Sequence, residues 1–73
     1  SMNNKEKRYH FVYEQAGNDK QLWVHASGFA AAYDIFWSKM DGEEIEKIEV
    51  EQYHLKPAAD VEEIFEWVPD GII

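Results

Sequence analysis

Cysteine is absent from the 73-residue chain, which excludes disulfide bonds and zinc sites built on thiolates. This absence is typical of proteins in a reducing compartment. Long apolar runs are also missing, since no stretch approaches the ~18–20 residues needed to span a bilayer. The N-terminal sequence SMNNKEKRYH lacks the apolar core of a signal peptide. Together these absences predict a cytoplasmic protein.

The residues that build common catalytic sites are scarce. The serines stand alone at positions 1, 27 and 38, and the glycines at 17, 28, 42 and 71 form no phosphate-binding loop. A chain this short rarely encloses a pocket of roughly a few hundred Å³. We therefore expect no catalysis, no cofactor and no metal.

Positive charge is in short supply, and its distribution is uneven. The net charge is −8. Residues 1–40 carry five basic and four acidic side chains, whereas residues 41–73 carry two basic and eleven acidic ones. A surface of this kind repels nucleic acid and anionic lipid, and it attracts a basic protein surface. We expect a protein partner, with no direct contact to nucleic acid or membrane.

What the chain has in abundance is aromatic residues, 15% of the total. Large rings let a small single domain bury enough area to fold without disulfides. Ser1 before Met2 is typical of a remnant of a cleaved expression tag. We expect residues 1–7 to form a disordered tail and residues 8–73 to form one domain.

Two strands are predicted at 8–14 and 21–26, where apolar and polar residues alternate. Turn-forming residues between them indicate a hairpin. A register with Glu14 opposite Gln21 puts one apolar set on a single face: Tyr9, Phe11, Tyr13, Leu22, Val24 and Ala26.

In that register, His10 and His25 face each other on the other side of the hairpin. Two imidazoles can share a metal ion, but a site needs three or four ligands. We therefore interpret them as a polar cross-strand pair.

A helix is predicted over 28–40, with Ser27 as its N-cap and Asp41-Gly42 as its end. Alternation resumes in a third strand at 47–54. The apolar spacing that follows predicts a short helix over about 60–67, and a strand is the alternative.

The predicted order is β-β-α-β-α. This is an α+β fold of two layers, in which a three-stranded sheet (N-terminal hairpin plus third strand) packs on one main helix, with a short C-terminal helix. The expected core consists of Tyr9, Phe11, Tyr13, Leu22, Val24, Phe29, Tyr33, Phe36, Ile48 and Val50.

The acidic residues after the first helix are the main candidates for a binding surface. Glu49 and Glu51, at alternate strand positions, lie ~6.6 Å apart at ~3.3 Å per residue. This spacing is close to that of phosphates along a nucleic-acid strand, so the surface could occupy the basic groove of a nucleic-acid-binding protein. The alternative is that the acids only keep a small aromatic-rich protein soluble.

Several aromatic residues exceed the needs of one small core, and Trp and Tyr are favoured anchors of interfaces. They could instead cover the rims of the core. The predicted partner-binding residues are Trp23, Glu43, Glu44, Glu46, Glu49, Glu51, Tyr53, Glu62, Glu63, Glu66 and Trp67.

In size, acidity and β-β-α-β layout, the chain resembles the small acidic proteins of bacteriophages and mobile elements. Some of those proteins inhibit host defence systems by occupying nucleic-acid-binding sites. The resemblance implies a non-catalytic protein–protein interaction module, an inhibitor or adaptor that binds a basic surface. The alternative is a homodimeric structural or assembly subunit.

Overall fold

The structure, a computed structural model, describes residues 6–73 apart from the side chains of Val61 and Glu62. Its elements are β1 (Lys7–Gln15), β2 (Asn18–Ala26), α1 (Phe29–Met40), β3 (Glu46–Ala58) and β4 (Val61–Ile72). Residues 1–5, most of the predicted tail, lie outside the described residues. The four strands form one antiparallel sheet in the order β2-β1-β3-β4.

The prediction of a three-stranded sheet with a C-terminal helix over 60–67 is wrong, because this segment belongs to β4. Its apolar residues at i, i+3 and i+4 match a helix by coincidence. They are β-branched or aromatic, which favours a strand, and pairing with β3 satisfies the backbone hydrogen bonds. Pro69 is tolerated because β4 is an edge strand, where one side of the backbone has no partner to receive a hydrogen bond.

The hairpin of β1 and β2 turns more tightly than predicted. Its loop is Ala16-Gly17, and both residues have positive φ (53° and 80°), as a type I′ turn requires. Phe11 therefore lies opposite Leu22, and Tyr9 opposite Val24, two residues out of the predicted register. A shift of two residues preserves the face on which each side chain lies, so the predicted apolar face is retained.

The helix α1 begins one residue later than predicted. Its N-cap is Gly28, in extended conformation, with no side-chain cap hydrogen bond. Ser27 is therefore not the cap, and that prediction is wrong. The helix ends as expected at Asp41, which adopts a left-handed conformation and donates its backbone N–H to the Trp37 carbonyl.

The core lies between α1 and one face of the sheet. Phe36 of α1 stacks on Phe11 of β1, with ring centroids 4.2 Å apart, and both rings are fully buried. Burial of such a ring contributes about 1.5–3 kcal/mol. The buried set is Tyr9, Phe11, Tyr13, Val24, Ala26, Ala32, Phe36, Met40 and Val50. Leu22 and Ile48 pack at its margin, whereas Phe29 and Tyr33, predicted core residues, are 36% and 39% exposed.

The strand β3 is much longer than the predicted 47–54. An irregularity near its start, where Lys47 has positive φ, shifts its register with β1. At the other end, the last described pair with β1 joins Lys7 and His54. Beyond this pair, the described residues of β3 form backbone pairs with β4 alone. The described part of the chain extends 44 Å along its longest axis.

Candidate functional site

The face of the sheet turned away from α1 carries the side chains that alternate with the core positions. We call this surface the open face. Its residues come from all four strands and include Arg8, His10, Val12, Trp23, His25, Glu49, Glu51, Tyr53 and Trp67.

The rings of His10, Trp23 and Tyr53 form a continuous group at the centre of the open face, which we call the aromatic group. Trp23 stacks on His10 of the neighbouring strand, with centroids 4.1 Å apart and planes 15° from parallel. Tyr53 of β3 lies 5.3 Å from Trp23 on the same face. The Trp23 side chain nevertheless remains 46% exposed. An exposed indole held by neighbouring rings keeps its contact area with little conformational freedom left to lose on binding.

Arg8 connects this group to Trp67 of β4. Its guanidinium carbon lies 4.5 Å from the Trp67 ring centroid and 5.8 Å from that of Trp23. Arg8 also donates from Nε to Nε2 of His25 over 2.8 Å, and the His25 ring lies 5.8 Å from that of Trp67. The cation is thus held by two indoles and one imidazole.

Tyr53 joins the aromatic group to the acidic part of the open face. Its hydroxyl donates to Glu51 over 3.0 Å. This hydrogen bond, with smaller contributions from burial and from the carboxylate charge, raises the pKa of Tyr53 above its ordinary value. The Tyr53 hydroxyl, protonated at neutral pH as in any tyrosine of ordinary pKa, orients the Glu51 carboxylate through this hydrogen bond.

The predicted facing pair of His10 and His25 is wrong. The two-residue change of register puts His10 opposite Trp23 and His25 opposite Arg8. His10 instead makes a 2.6 Å hydrogen bond to the Gln21 side chain. Among residues 6–73, no group of three or more possible metal-ligating side chains is described.

The acids of β3 fall partly on the open face. Glu51 lies opposite His10 and accepts a hydrogen bond from Tyr53, so its carboxylate lies beside the aromatic group, whereas Glu49 lies opposite Val12, two residues further along the same face. Glu46 lies further along, opposite Glu14. Lys47 approaches Glu14 at 3.7 Å, but its side chain is 75% exposed, so this ion pair contributes little.

Two other predicted acids, Glu43 and Glu44, precede β3 and lie near its first residue, Glu46. Glu44 lines a shallow depression of about 180 Å³, together with Glu14, Glu46 and the hairpin loop. Glu43 accepts a hydrogen bond from Gln15 over 2.9 Å. Neither residue reaches the aromatic group.

The remaining predicted acids lie at the far end of the sheet. Glu66 is opposite Lys56, about 33 Å from Glu46 at ~3.3 Å per strand residue, and Glu63 is exposed nearby in β4. The side chain of Glu62 lies outside the described part of the chain. The acids therefore do not form one continuous surface.

Of the predicted binding residues, the structure brings five together: Trp23, Glu49, Glu51, Tyr53 and Trp67. It adds Arg8, His10 and His25, which the sequence analysis did not assign to this surface. Alternation along β1 and β2 already placed these three on the face opposite the core. The contacts of Arg8 and His25 with Trp67 could not be predicted, because β4 was predicted as a helix.

Within the part of the chain that the structure describes, no helix is long and apolar enough to cross a membrane. Comparison with known protein families, with curated proteins and with solved structures found no match. Functional conclusions therefore depend on the chemistry of the open face.

Proposed function

We propose that this protein is a non-catalytic interaction module that binds a basic protein surface, such as that of a nucleic-acid-binding protein, through its open face. In this role it would act as an inhibitor or adaptor. The observation that carries the proposal is the convergence of Trp23, Tyr53 and Trp67 beside Glu49 and Glu51.

Aromatic anchors and a charged rim serve different purposes in such an interface. Partly exposed indoles and phenols supply contact area that is released from water on binding. Glu51 contacts the anchor Tyr53, and Glu49 lies two residues away on the same face, so both can pair with lysine or arginine side chains of the partner. The net charge of −8 accelerates encounters with a basic surface, so the association rate should fall as salt is added.

A defined probe tests this proposal. A fluorescently labelled peptide of alternating arginine and glycine is titrated with the protein at 20 and 200 mM salt, and its anisotropy is followed. We expect binding that weakens at the higher salt. Glu49→Lys combined with Glu51→Lys should weaken binding at low salt about tenfold or more. Labelled single-stranded DNA should not bind.

The matched control is Asp34→Lys combined with Glu66→Lys, which changes the net charge by the same amount. Asp34 is exposed on α1, and Glu66 alternates with Trp67, so neither belongs to the open face. This variant should retain most of the affinity. If both double variants lose affinity equally, the glutamates of the open face act only through net charge, and the proposal fails.

A homodimeric structural or assembly subunit is the second candidate. It is favoured by apolar residues of the C-terminal part of the chain that are more than half exposed: Ile64, Phe65, Ile72 and Ile73. The strand β3 cannot supply the interface by edge pairing where it lies between β1 and β4. Light scattering at micromolar concentration and neutral pH decides, since a mass near 8.6 kDa would remove this candidate.

A further inference from the structure

The side chain of Arg8 lies between two indoles from opposite edges of the sheet. Trp23 belongs to β2 and Trp67 to β4, whereas Arg8 rises from β1 between them. The guanidinium carbon lies 4.5 Å from one ring centroid and 5.8 Å from the other. Both distances are within the ~6 Å range of cation–π attraction.

The surroundings of this guanidinium suit a positively charged planar group. Nε2 of His25 accepts its N–H at 2.8 Å. The Tyr53 ring lies beside Trp23, and the Glu51 carboxylate accepts from the Tyr53 hydroxyl. Two indoles within cation–π range and a hydrogen-bond acceptor together provide attraction for the positive charge and directional bonding for an arginine side chain.

We propose that the space between Trp23 and Trp67 is a binding slot for an arginine side chain of the partner, and that Arg8 fills this slot in the free protein. This inference rests on the proposed function and names the chemical group that the open face recognises. A partner arginine displaces Arg8 and takes over its contacts with the two indoles and His25.

The internal occupant lowers the affinity of the slot. Only molecules in which Arg8 has moved out can bind the partner, so the apparent affinity is reduced by the fraction of molecules in that open state. Arg8 is held by cation–π contacts and one hydrogen bond, which keeps this fraction small. Removing the guanidinium should therefore tighten arginine binding about tenfold or more.

The test compares wild type with Arg8→Ala and Arg8→Gln, the second of which keeps most of the side-chain stem without the charge. N-acetyl-arginine methylamide is the probe, and the indole N–H signals in NMR spectra are the readout. Both variants should bind at least tenfold more tightly than wild type. The Trp23 and Trp67 signals should shift, whereas Trp37, which lies on α1 across the sheet, should not.

Two further probes serve as controls, one that is neutral and one that carries the charge on a group of different shape. N-acetyl-citrulline methylamide has the same shape without the charge and should not bind. N-acetyl-lysine methylamide, with a free ε-ammonium, should bind more weakly than the arginine probe, because it cannot stack as a plane. Equal binding of arginine and lysine would overturn the assignment, as would Arg8 variants that bind no better than wild type. If Arg8→Ala does not fold, Arg8→Gln decides.

The slot and the proposed function can fail separately. If wild type binds the arginine–glycine peptide in a salt-dependent manner but the Arg8 variants bind arginine no more tightly, only the slot is wrong. If neither wild type nor the Arg8 variants bind the arginine–glycine peptide but the variants capture the arginine probe, the proposed function fails and the slot remains.

Discussion

The protonation of Asp70 is linked to folding through the contacts that its carboxylate makes. Its carboxylate accepts from the Gln52 amide over 2.7 Å and lies 2.6 Å from Nδ1 of His54. These partners, Gln52 first, hold the pKa of Asp70 below its ordinary 3.8, although partial desolvation opposes them. Gln52 also accepts from the buried Tyr9, so the carboxylate completes a chain of polar contacts that begins at the core.

The lowered pKa predicts a loss of stability in acid. Asp70 releases its proton more readily in the folded protein, so its contribution is complete above pH about 3.8 and is lost as the pH falls through the lowered value. We expect Asp70→Asn to reduce the drop in the free energy of unfolding between pH 7 and pH 2.5. Urea denaturation at the two pH values measures this drop.

Asp34→Asn is the matched control, because Asp34 is exposed on α1 and no hydrogen bond to its side chain is described. This variant should show the same drop as wild type. An Asp70→Asn variant that is as acid-sensitive as wild type would show that the contacts of Asp70 do not contribute to stability.

For single residues, the sequence predicted the face of the sheet on which a side chain lies better than it predicted the residue opposite it on the next strand. Alternation correctly placed Tyr9 and Phe11 towards the core, because any register that buries them puts them on the same face. The partner of His10 was wrong, because it depends on how many residues the hairpin loop contains. The positive φ of Ala16 could not be predicted from the sequence, since Asn or Gly is the usual residue at that position of a type I′ turn.

Among the elements, α1 has a weak N-terminus. Its first turn contains no acidic residue, and Gly28 provides no side chain to bond the free backbone N–H groups. We expect Gly28→Asp to raise the free energy of unfolding by about 0.5 kcal/mol at pH 7, through a cap hydrogen bond and interaction with the helix dipole. Apart from Gly28 and its chain neighbours, no atom lies within 4 Å of a Cβ at this position, so there is room for the new side chain.

Ser27→Ala is the informative comparison for this prediction. Ser27 is exposed and outside the cap position, so its loss should change the free energy of unfolding by less than about 0.5 kcal/mol. Urea denaturation of both variants measures the two changes. A loss of about 1 kcal/mol from Ser27→Ala would restore Ser27 as the cap and refute the assignment of Gly28.

The C-terminal segment shows why an element can be mispredicted from local spacing alone. Val61, Ile64, Phe65 and Val68 satisfy a helical pattern, while Trp67 and Ile72 extend the β-branched and aromatic content that favours a strand. The deciding factor is β3, which runs well beyond His54 and needs a partner there. Pro57 lies within the part of β3 that exceeds the predicted strand, because a proline can occupy a strand where one side has no neighbour.

At the scale of the whole molecule, the acids predicted as one surface are spread along its length. Glu46 and Glu66 lie on opposite ends of β3 and its partner strand, within described residues that span 44 Å. Among the predicted acids whose side chains are described, Glu51 contacts the aromatic group and Glu49 lies two residues further along the same face. Charge composition therefore predicted that the surface is negatively charged. The position of the site could be found only from the strand order, which brings Trp23 and Trp67 from the two edges of the sheet towards Arg8.

The same distribution predicts how the molecules interact with one another. At pH 7 the net charge of −8 opposes contact between copies that each expose Ile64 and Phe65 by more than half. Near the isoelectric point, about 4.6, that repulsion vanishes while the apolar area remains, so the molecules should associate. Static light scattering from pH 7 to pH 4.6 should show a rising average mass. Ile64→Ser combined with Phe65→Ser should suppress the rise, whereas Val12→Ser on the open face should leave most of it. Association at pH 4.6 that is unchanged in the double variant would contradict a role for β4 and point to the aromatic group of the open face as the contact between copies.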